Sequence, residues 1–304
     1  MNDKKIKLLV LSGPTGSGKS ELAVRIAEKI GAEIVNADSM QVYRGMDVGT
    51  AKPTAEALAR ARHHLLDIVS PDQSFTASDF RREAAAAIAD IDARGKKAIV
   101  VGGTGLYIRA LLSGLVDSPT GDPELRLQFA GVAGEELLRR LALVDPETAS
   151  RLHANDRVRL IRALEVFSQT GRPISAFRSE HAFSATYYDS LKFAIEVERP
   201  ELYRRIDCRV EQMLEDGLVA EVGSLLASGY SREFKAMRSI GYKEISAHLA
   251  GEITLEEAVS LIKRDTRRYA KRQMTWFGKE NDIYWLEYPE SFATILAHVI
   301  EFFG

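Results

Sequence analysis

The sequence contains a single cysteine, Cys208, among its 304 residues. One cysteine excludes a disulfide within the chain and any zinc site built from cysteines alone. We interpret Cys208 as a small apolar residue buried in the core, which is the usual place of a free cysteine. The chain is long enough to bury a full core without covalent cross-links, so we expect a fold stabilised mainly by packing.

Long apolar runs are also lacking. No apolar stretch is long enough to span a bilayer, and the first one, in MNDKKIKLLVLSG, is too short for a signal peptide and leads directly into a glycine-rich loop. The formal net charge is only −2, so the total charge gives no indication of nucleic acid. With 45% hydrophobic and 28% charged residues, the composition is that of a soluble globular protein. We therefore expect a cytoplasmic protein whose partners are indicated by the distribution of its charges.

Strand and helix patterns alternate along the first hundred residues. Continuous apolar runs predict strands over 7–12, 33–37 and 97–101, and periodic apolar positions predict helices over 21–30 and 77–93. This alternation implies βαβ units and a parallel sheet.

The second half of the chain begins with a change of pattern. Residues 122–183 have helical patterns and no convincing strand, whereas strand character returns over 191–197 and 283–287. Further helices are predicted over 200–228, 254–277 and 290–302. We therefore predict an α/β fold, a P-loop NTPase-like parallel sheet flanked by helices, with an inserted all-helical subdomain. The predicted domains are a core of 1–116 plus 190–304 and an insertion of 117–189.

Residues 13–20 read GPTGSGKS and match the phosphate-loop pattern G-x-x-x-x-G-K-[ST] between a predicted strand and a predicted helix. Glycines let backbone N–H groups converge on one concavity, to which the helix N-terminus adds positive potential. Lys19 adds a positive charge, and Ser20 offers a hydroxyl ligand to Mg²⁺. The pattern predicts a polyphosphate ligand, with ATP as only one of the possibilities. The predicted phosphate contacts are Gly13, Pro14, Thr15, Gly16, Ser17, Gly18, Lys19 and Ser20.

Asp38 is the only carboxylate at the C-terminal edge of an early predicted strand. It should face the same crevice as Lys19, because the strand that it follows comes directly after the phosphate-loop helix. The strand KKAIVV, where many P-loop ATPases carry a magnesium-ordering acid, ends instead in GGTGLY. The residues alone leave three roles open for Asp38: magnesium ligand, proton acceptor or solvated surface group.

Several long motifs follow one another along most of the chain. They are GPTGSGKS (13–20), NADSMQVYRGMDVGTAKP (36–53), HHLLDI (63–68), VGGTGLYIRALL (101–112), VDPETASRLHANDRVRLIRALEVF (144–167), MRSIGYKE (237–244) and TRRYAKRQMTWF (266–277). With these motifs the sequence resembles the tRNA dimethylallyltransferase family, also called tRNA isopentenyltransferases. Residues 117–135 are short beside the corresponding stretch of many relatives.

The resemblance implies transfer of the dimethylallyl group from dimethylallyl diphosphate to N6 of the adenosine 3′-adjacent to the anticodon, position 37. It implies that Asp38 is the general base and that Ser39, Met40 and Gln41 line the acceptor base. Thr104 would hold the acceptor amine and the bridging oxygen of the donor, and Arg238 would bind the diphosphate opposite the phosphate loop. The implied catalytic set is thus Asp38, Thr104 and Lys19, with Mg²⁺ as the cofactor and the anticodon stem-loop of tRNA as the macromolecular partner of a monomer.

Residues 263–272 read KRDTRRYAKR and contain six Lys or Arg. On a helix, four of these cations fall near one face, and together with the resemblance this favours contact with tRNA phosphates over a solvated face; they are Arg264, Arg268, Lys271 and Arg272. The resemblance places further RNA contacts on the helix after Asn155, although pairing of its arginines with glutamates is the alternative. The predicted contacts there are Val158, Arg159, Leu160, Ile161 and Arg162.

Two other classes of function share parts of this pattern. A P-loop kinase of nucleotides or small metabolites would use the same Lys19 and Ser20 but gives no role to the basic stretch. A non-catalytic RNA-binding protein would not need an intact GPTGSGKS or Asp38. Prenylation of free adenylates is a third alternative, against which the helical insertion and the basic stretch favour a macromolecular acceptor.

Overall fold

The structure, a computed structural model, describes residues 5–116, 118–181, 186–280 and 282–304. Within these residues, six parallel strands form one sheet in the order β3-β2-β4-β1-β5-β6. The strands are β1 (Lys7–Ser12), β2 (Ala32–Asn36), β3 (His63–His64), β4 (Lys97–Gly102), β5 (Asp189–Glu196) and β6 (Tyr284–Glu287). The predicted parallel sheet flanked by helices is confirmed.

Helices make up most of the remaining regular structure. In chain order they are α1 (Lys19–Ile30), α2 (Ala55–Arg60), α3 (Ala77–Ala93), α4 (Gly105–Ser113), α5 (Pro123–Ala130), α6 (Gly134–Val144), α7 (Pro146–Ala149), α8 (Arg157–Thr170), α9 (Ile174–His181), α10 (Arg199–Glu215), α11 (Leu218–Ala227), α12 (Tyr242–Leu249), α13 (Leu255–Phe277) and α14 (Phe292–Phe303).

Strand β1 shows why the central strands of the sheet are rich in apolar residues. Leu8 and Val10 point into one hydrophobic core, and Leu9 and Leu11 point into the other. Both faces of a parallel sheet are covered by helices, so neither side of the strand meets water. Because β1 runs parallel to its neighbours β4 and β5, the loop after it lies at the carboxyl edge of the sheet, where α/β proteins bind their ligands.

The chain divides into two compact units. The first comprises residues 1–112 and 187–304 and contains both cores of the sheet. The second comprises residues 113–186, and its own core includes Leu137, Leu141 and Leu164. In the first unit the Tyr187 N–H donates to the Leu112 carbonyl at 3.2 Å, so the two chain ends that border the second unit meet.

Several details differ from the sequence-based expectations. Cys208 is exposed on α10, so its prediction as buried filler is wrong. The helical stretch predicted over 200–228 is divided into α10 and α11 at Gly217, which has a positive φ of 97°. The strand β3 and the helices α2, α4 and α12 were not predicted. Phe183, the last residue of the predicted helical stretch, and Asp117, the first residue of the predicted insertion, lie outside the described residues.

No helix in the described part of the chain is both long and apolar enough to cross a membrane.

Candidate active-site crevice

The phosphate loop, residues 13–20, connects β1 to α1 in a conformation that its glycines make possible. Gly13, Gly16 and Gly18 have φ values of 142°, 82° and 89°, which residues other than glycine rarely adopt. Gly18 is the N-cap of α1 and is left-handed, so the helix begins directly at Lys19. The loop therefore wraps around the N-terminus of a helix, where unpaired N–H groups and the helix dipole attract anions.

Lys19 is a desolvated cation at this loop. Its Nζ donates to the Pro14 carbonyl at 3.1 Å. Burial, and secondly the nearby Arg209 guanidinium, lower the pKa of Lys19 to about 8, against the opposing effect of Asp38. A buried ammonium next to a guanidinium is unfavourable without an anion, and a bound phosphate group would relieve that repulsion.

A small cavity of about 60 Å³, the phosphate-loop crevice, brings the predicted polar residues together. Its lining includes Lys19, Ser20, Asp38 and Gln41 of the predicted set. Arg209 on α10 also lines it and was not predicted. Burial lowers the pKa of Arg209, and Asp38 opposes this shift. Two cations, a hydroxyl and a carboxylate thus surround a space next to the phosphate loop.

Asp38 follows β2 and is held by the turn after it. Its Oδ1 accepts from the Met40 N–H at 2.8 Å and from the Gln41 N–H at 3.4 Å. These contacts fix the carboxylate in one orientation. Asp38 lines both the phosphate-loop crevice and a second cavity, so it stands where the two spaces meet.

The second cavity, which we call the Tyr242 cavity, has a volume of about 300 Å³. This volume is at the lower end of the range for small-molecule sites. Asp38, Ser39 and Met40 line one part of it, as predicted for the acceptor base, whereas Gln41 lines only the phosphate-loop crevice of the two. The other lining residues include Gly49, Thr50, Arg209, Arg238, Tyr242 and Tyr269.

Arg238 and Thr104 were both predicted to contact the donor. Arg238 is exposed and lines the Tyr242 cavity together with Thr15 of the phosphate loop, whereas the cation beside Lys19 in the phosphate-loop crevice is Arg209. The Thr104 hydroxyl accepts from the Ser39 N–H at 3.1 Å, one residue from Asp38. Its predicted contacts with the acceptor amine and the donor oxygen stay predictions.

Gln273 on α13 is a second residue that the sequence did not single out. It is 5% exposed. Its Oε1 accepts from the Thr15 N–H at 2.9 Å, and its Nε2 donates to the Gly103 carbonyl at 2.9 Å. A Cβ at Gly103 would lie 2.1 Å from Nε2, so glycine is needed for this approach. Gln273 therefore joins the phosphate loop to the loop after β4.

The basic face of α13 consists of the four exposed cations Arg264, Arg268, Lys271 and Arg272. Asp265 accepts from Arg264 and Arg268, so part of the charge is neutralised. The flanking Lys263 and Arg267 pair instead with Glu211 and Asp207 of α10. The two flanking cations are thus paired with carboxylates of α10, whereas the four cations of the basic face are exposed and can contact a polyanion.

Two aromatic side chains of α13 have different positions. Tyr269 lines both cavities, and burial, followed by the effect of Asp38, raises its pKa to about 12. Trp276 packs against Gly105, whose added Cβ would lie 2.2 Å from the indole ring, and Arg109 lies over the ring. Trp276 is thus a packing residue in this structure.

Helix α8 in the second unit contains the other predicted tRNA contacts. Val158 is 82% exposed and Arg159 points outward, although it pairs with Asp156 at 3.2 Å. Arg162 donates to the fully buried Glu165 at 2.7 Å, which is the pairing that sequence analysis gave as the alternative. The side chain of Leu160 is fully buried in the core of this unit, and its predicted contact with tRNA stays a prediction. Ile161 packs against the same core.

The histidine pair after α2 has structural contacts. His64 Nε2 lies 2.8 Å from Glu33, and His63 Nδ1 lies 2.8 Å from the Ala61 carbonyl. Among the described residues, no group of three or more His, Cys, Asp or Glu side chains is arranged to hold a metal ion. A metal in the phosphate-loop crevice would therefore depend on ligands supplied by a bound phosphate compound.

Comparisons with known proteins agree on one family. The sequence model of the IPP transferase family matches residues 41–280. The chain is 79% identical to tRNA dimethylallyltransferase 1 of Citrifermentans bemidjiense, over 99% of this chain and 98% of that protein. The crystal structure of the tRNA isopentenylpyrophosphate transferase of Bacillus halodurans superimposes with a TM-score of 0.74 at 37% identity, covering 98% of this chain and 97% of that one. A eukaryotic dimethylallyltransferase, studied while acting on tRNA, has a TM-score of 0.83 at 30% identity, covering 97% and 78% of the two chains.

Proposed function

The chain belongs to the IPP transferase family and is a prenyltransferase that modifies tRNA, and we propose that its two adjoining cavities carry out the transfer. The dimethylallyl group moves from dimethylallyl diphosphate to N6 of the adenosine 3′-adjacent to the anticodon, position 37. The phosphate-loop crevice holds the diphosphate, and the Tyr242 cavity holds the adenine. The observation that carries this proposal is Asp38, which lines both cavities.

Cleavage of the donor leaves negative charge on diphosphate. The carbon–oxygen bond breaks with its electron pair on the leaving oxygen, while the adenine nitrogen forms the new carbon–nitrogen bond. Loop N–H groups, Lys19 and Arg209 stabilise that charge, since all three surround the crevice before the donor binds. The lowered pKa values of Lys19 and Arg209 indicate cations that are desolvated in advance.

The acceptor amine loses a proton as the new bond forms. The Asp38 carboxylate receives it, because the Met40 and Gln41 N–H groups hold the carboxylate at the meeting point of the cavities. An adenine must leave the anticodon stack to reach this point, so the nucleotide flips into the Tyr242 cavity.

Magnesium fits the donor side of this arrangement. Ser20 and Asp38 present oxygen atoms to the same crevice, and oxygen is the ligand that Mg²⁺ prefers. With few protein ligands, the ion would be held by the Ser20 hydroxyl, diphosphate oxygens and water, as is usual for Mg²⁺ at phosphate sites. Bound there, it would supply further positive charge for the leaving group.

The macromolecular partner contacts the basic face of α13 and the exposed part of α8. The exposed cations Arg264, Arg268, Lys271 and Arg272 bind phosphates of the anticodon stem-loop, and Val158 and Arg159 are the exposed residues of the set predicted on α8. We propose that the enzyme acts in the cytoplasm, where tRNA is modified, and as a monomer. A P-loop kinase, the alternative from the sequence, is not supported by the relatives, which transfer a prenyl group to tRNA and not a phosphoryl group.

Incubation with labelled dimethylallyl diphosphate and Mg²⁺, without ATP, tests the function directly. We expect label in tRNA and none in AMP. Lys19→Ala should reduce the transfer rate by about 10²–10³, because the leaving diphosphate loses one charge-assisted contact. Transfer that requires ATP, or that labels AMP and tRNA equally, would contradict the proposal.

A further inference from the structure

One wall of the Tyr242 cavity is a loop. Gly49 and Thr50 line the cavity and belong to residues 46–52, which form neither helix nor strand. Such a segment has no ladder of backbone hydrogen bonds to hold it, so its N–H groups need other partners. These partners decide how firmly the wall is fixed.

Glu221 on α11 supplies partners for three consecutive N–H groups. Its Oε2 accepts from Asp47 at 2.8 Å and from Val48 at 2.7 Å. Its Oε1 accepts from Gly49 at 3.1 Å and from the Tyr242 hydroxyl at 2.5 Å. Successive N–H groups that converge on one anion form a nest, an arrangement that fixes the backbone conformation around it.

Tyr242 joins this carboxylate to the cavity itself. The side chain is fully buried, and its ring lines the cavity. A Cβ at Gly49 would lie 2.5 Å from the ring, so loop and ring are in close contact. Burial, and secondly Glu221, raise the pKa of Tyr242, so its hydroxyl stays protonated and remains a donor.

The same loop is held from the Asp38 side. Gln41 Nε2 donates to the carbonyls of Thr50 and Ala51 at 2.9 and 3.0 Å. The Gln41 N–H belongs to the turn that fixes Asp38. A continuous series of hydrogen bonds therefore runs from Glu221 through the loop to the turn of Asp38.

We propose that Glu221 and Tyr242 are positioning residues that set the orientation of the acceptor adenine relative to Asp38. The inference rests on the proposed function, because it concerns how that reaction binds its acceptor. Of the four residues that donate to Glu221, Gly49 and Tyr242 line the cavity, so Glu221 acts on the base through the wall. Small errors in the placement of a reacting group reduce the rate steeply.

The test uses two conservative variants of the full chain, with tRNA and dimethylallyl diphosphate varied in turn. Tyr242→Phe removes only the hydroxyl contact. Glu221→Gln keeps one accepting oxygen but presents an N–H₂ group to the loop. We expect each to lower kcat/KM for tRNA by about 5- to 20-fold, while KM for the donor stays within about twofold. Glu215→Gln, an exposed glutamate at the end of α10, is the matched control and should change neither value.

Thermal unfolding separates positioning from general loss of structure. In the expected result, the variants melt close to the wild type and only the acceptor parameters change. The inference is wrong if both variants leave kcat/KM for tRNA unchanged, or if donor and tRNA parameters fall together with the melting temperature. If the wild type itself transfers no label to tRNA, the proposed function fails instead.

Discussion

Asp38 has two possible roles in the proposed reaction, base or magnesium ligand, and its substitution distinguishes them. Asp38→Asn keeps the shape and one accepting oxygen for the Met40 and Gln41 N–H groups but removes the basicity. If Asp38 is the base, donor and tRNA still bind, while the single-turnover rate falls by about 10²–10⁴. Single-turnover transfer at saturating tRNA, titrated with Mg²⁺, measures this.

The magnesium titration also gives the contrary outcome for Asp38. If the carboxylate mainly orders the metal, the variant binds the donor weakly and high Mg²⁺ restores much of the rate. Asp72→Asn is the matched control, since it makes the same change at an exposed carboxylate that lines neither cavity. Restoration to near the wild-type rate would assign Asp38 to the metal.

Lys19 gives a prediction about pH. Its pKa in the free protein is about 8, below the ordinary value of 10.5. The ammonium is therefore protonated at pH 7 and loses its proton as the pH rises through about 8. Affinity for dimethylallyl diphosphate should fall over that range, which titration calorimetry from pH 6.5 to 9.5 measures. Lys19→Ala should bind weakly throughout, and an inflection near pH 8 that persists in this variant would assign it to another group.

Some residues of the crevice can be predicted from the sequence, and others cannot. Lys19, Ser20 and Asp38 follow from local rules, because a loop pattern and a strand end fix their positions. Arg209 and Gln273 do not, since they meet the phosphate loop only when α10 and α13 pack against the sheet. Gln273, for example, contacts Thr15 across 258 positions of the chain. A residue whose function depends on a distant partner has no local pattern.

The helix α13 is the element in which two functions meet. Its basic face is open to tRNA, and Gln273 on its buried side holds the Thr15 N–H of the phosphate loop. Replacing Arg268, Lys271 and Arg272 together by Ala should weaken tRNA binding. The slope of log K against log salt should become shallower by about 2–3 units, because each lost phosphate contact removes roughly one. Filter binding between 50 and 300 mM salt, on the order of physiological ionic strength, measures it.

Donor affinity should barely change in this triple variant, because none of the three side chains lines the phosphate-loop crevice. A control of equal charge replaces three exposed cations of other helices, Lys29, Arg82 and Arg204. An equal loss of slope in that control would mean that overall charge, and not the basic face, attracts tRNA.

Helix α8 shows that consecutive residues of one motif do not all have the same role. Its five predicted contacts are consecutive, but consecutive helical residues point in different directions. Val158 and Arg159 therefore face outward, whereas Leu160 is buried and Arg162 is held by Glu165. Periodicity in the sequence distinguishes these directions better than membership of the motif does.

The whole molecule consists of two units with separate hydrophobic cores. Because Leu112 and Tyr187 are joined by a hydrogen bond, a short Gly-Ser linker can replace residues 114–186. We expect the shortened chain to fold cooperatively and to bind dimethylallyl diphosphate within about threefold of the full chain, while transfer to tRNA is lost. Urea unfolding and titration calorimetry measure the first two, and labelled transfer measures the third.

A shortened chain that does not fold would contradict the independence of the two cores. A linker of equal length inserted after Gly251, at a left-handed turn between α12 and α13, controls for the presence of the linker itself. The sequence predicted the all-helical stretch because its pattern loses strand periodicity. It placed the insertion at 117–189, whereas the second unit comprises 113–186, since the exact ends depend on which residues pack together.

Strand β1 is synthesised long before β5, one of its two neighbours in the sheet. Its partner β5 arrives late: the Ser12 hydroxyl donates to Phe193, 181 positions further along. At about 5–20 residues per second of synthesis, β1 waits roughly 9 to 36 s for this neighbour. The phosphate loop is thus among the first segments to be translated and among the last to be enclosed. During that interval its apolar strand depends on chaperones, or on early pairing with β4, to avoid aggregation.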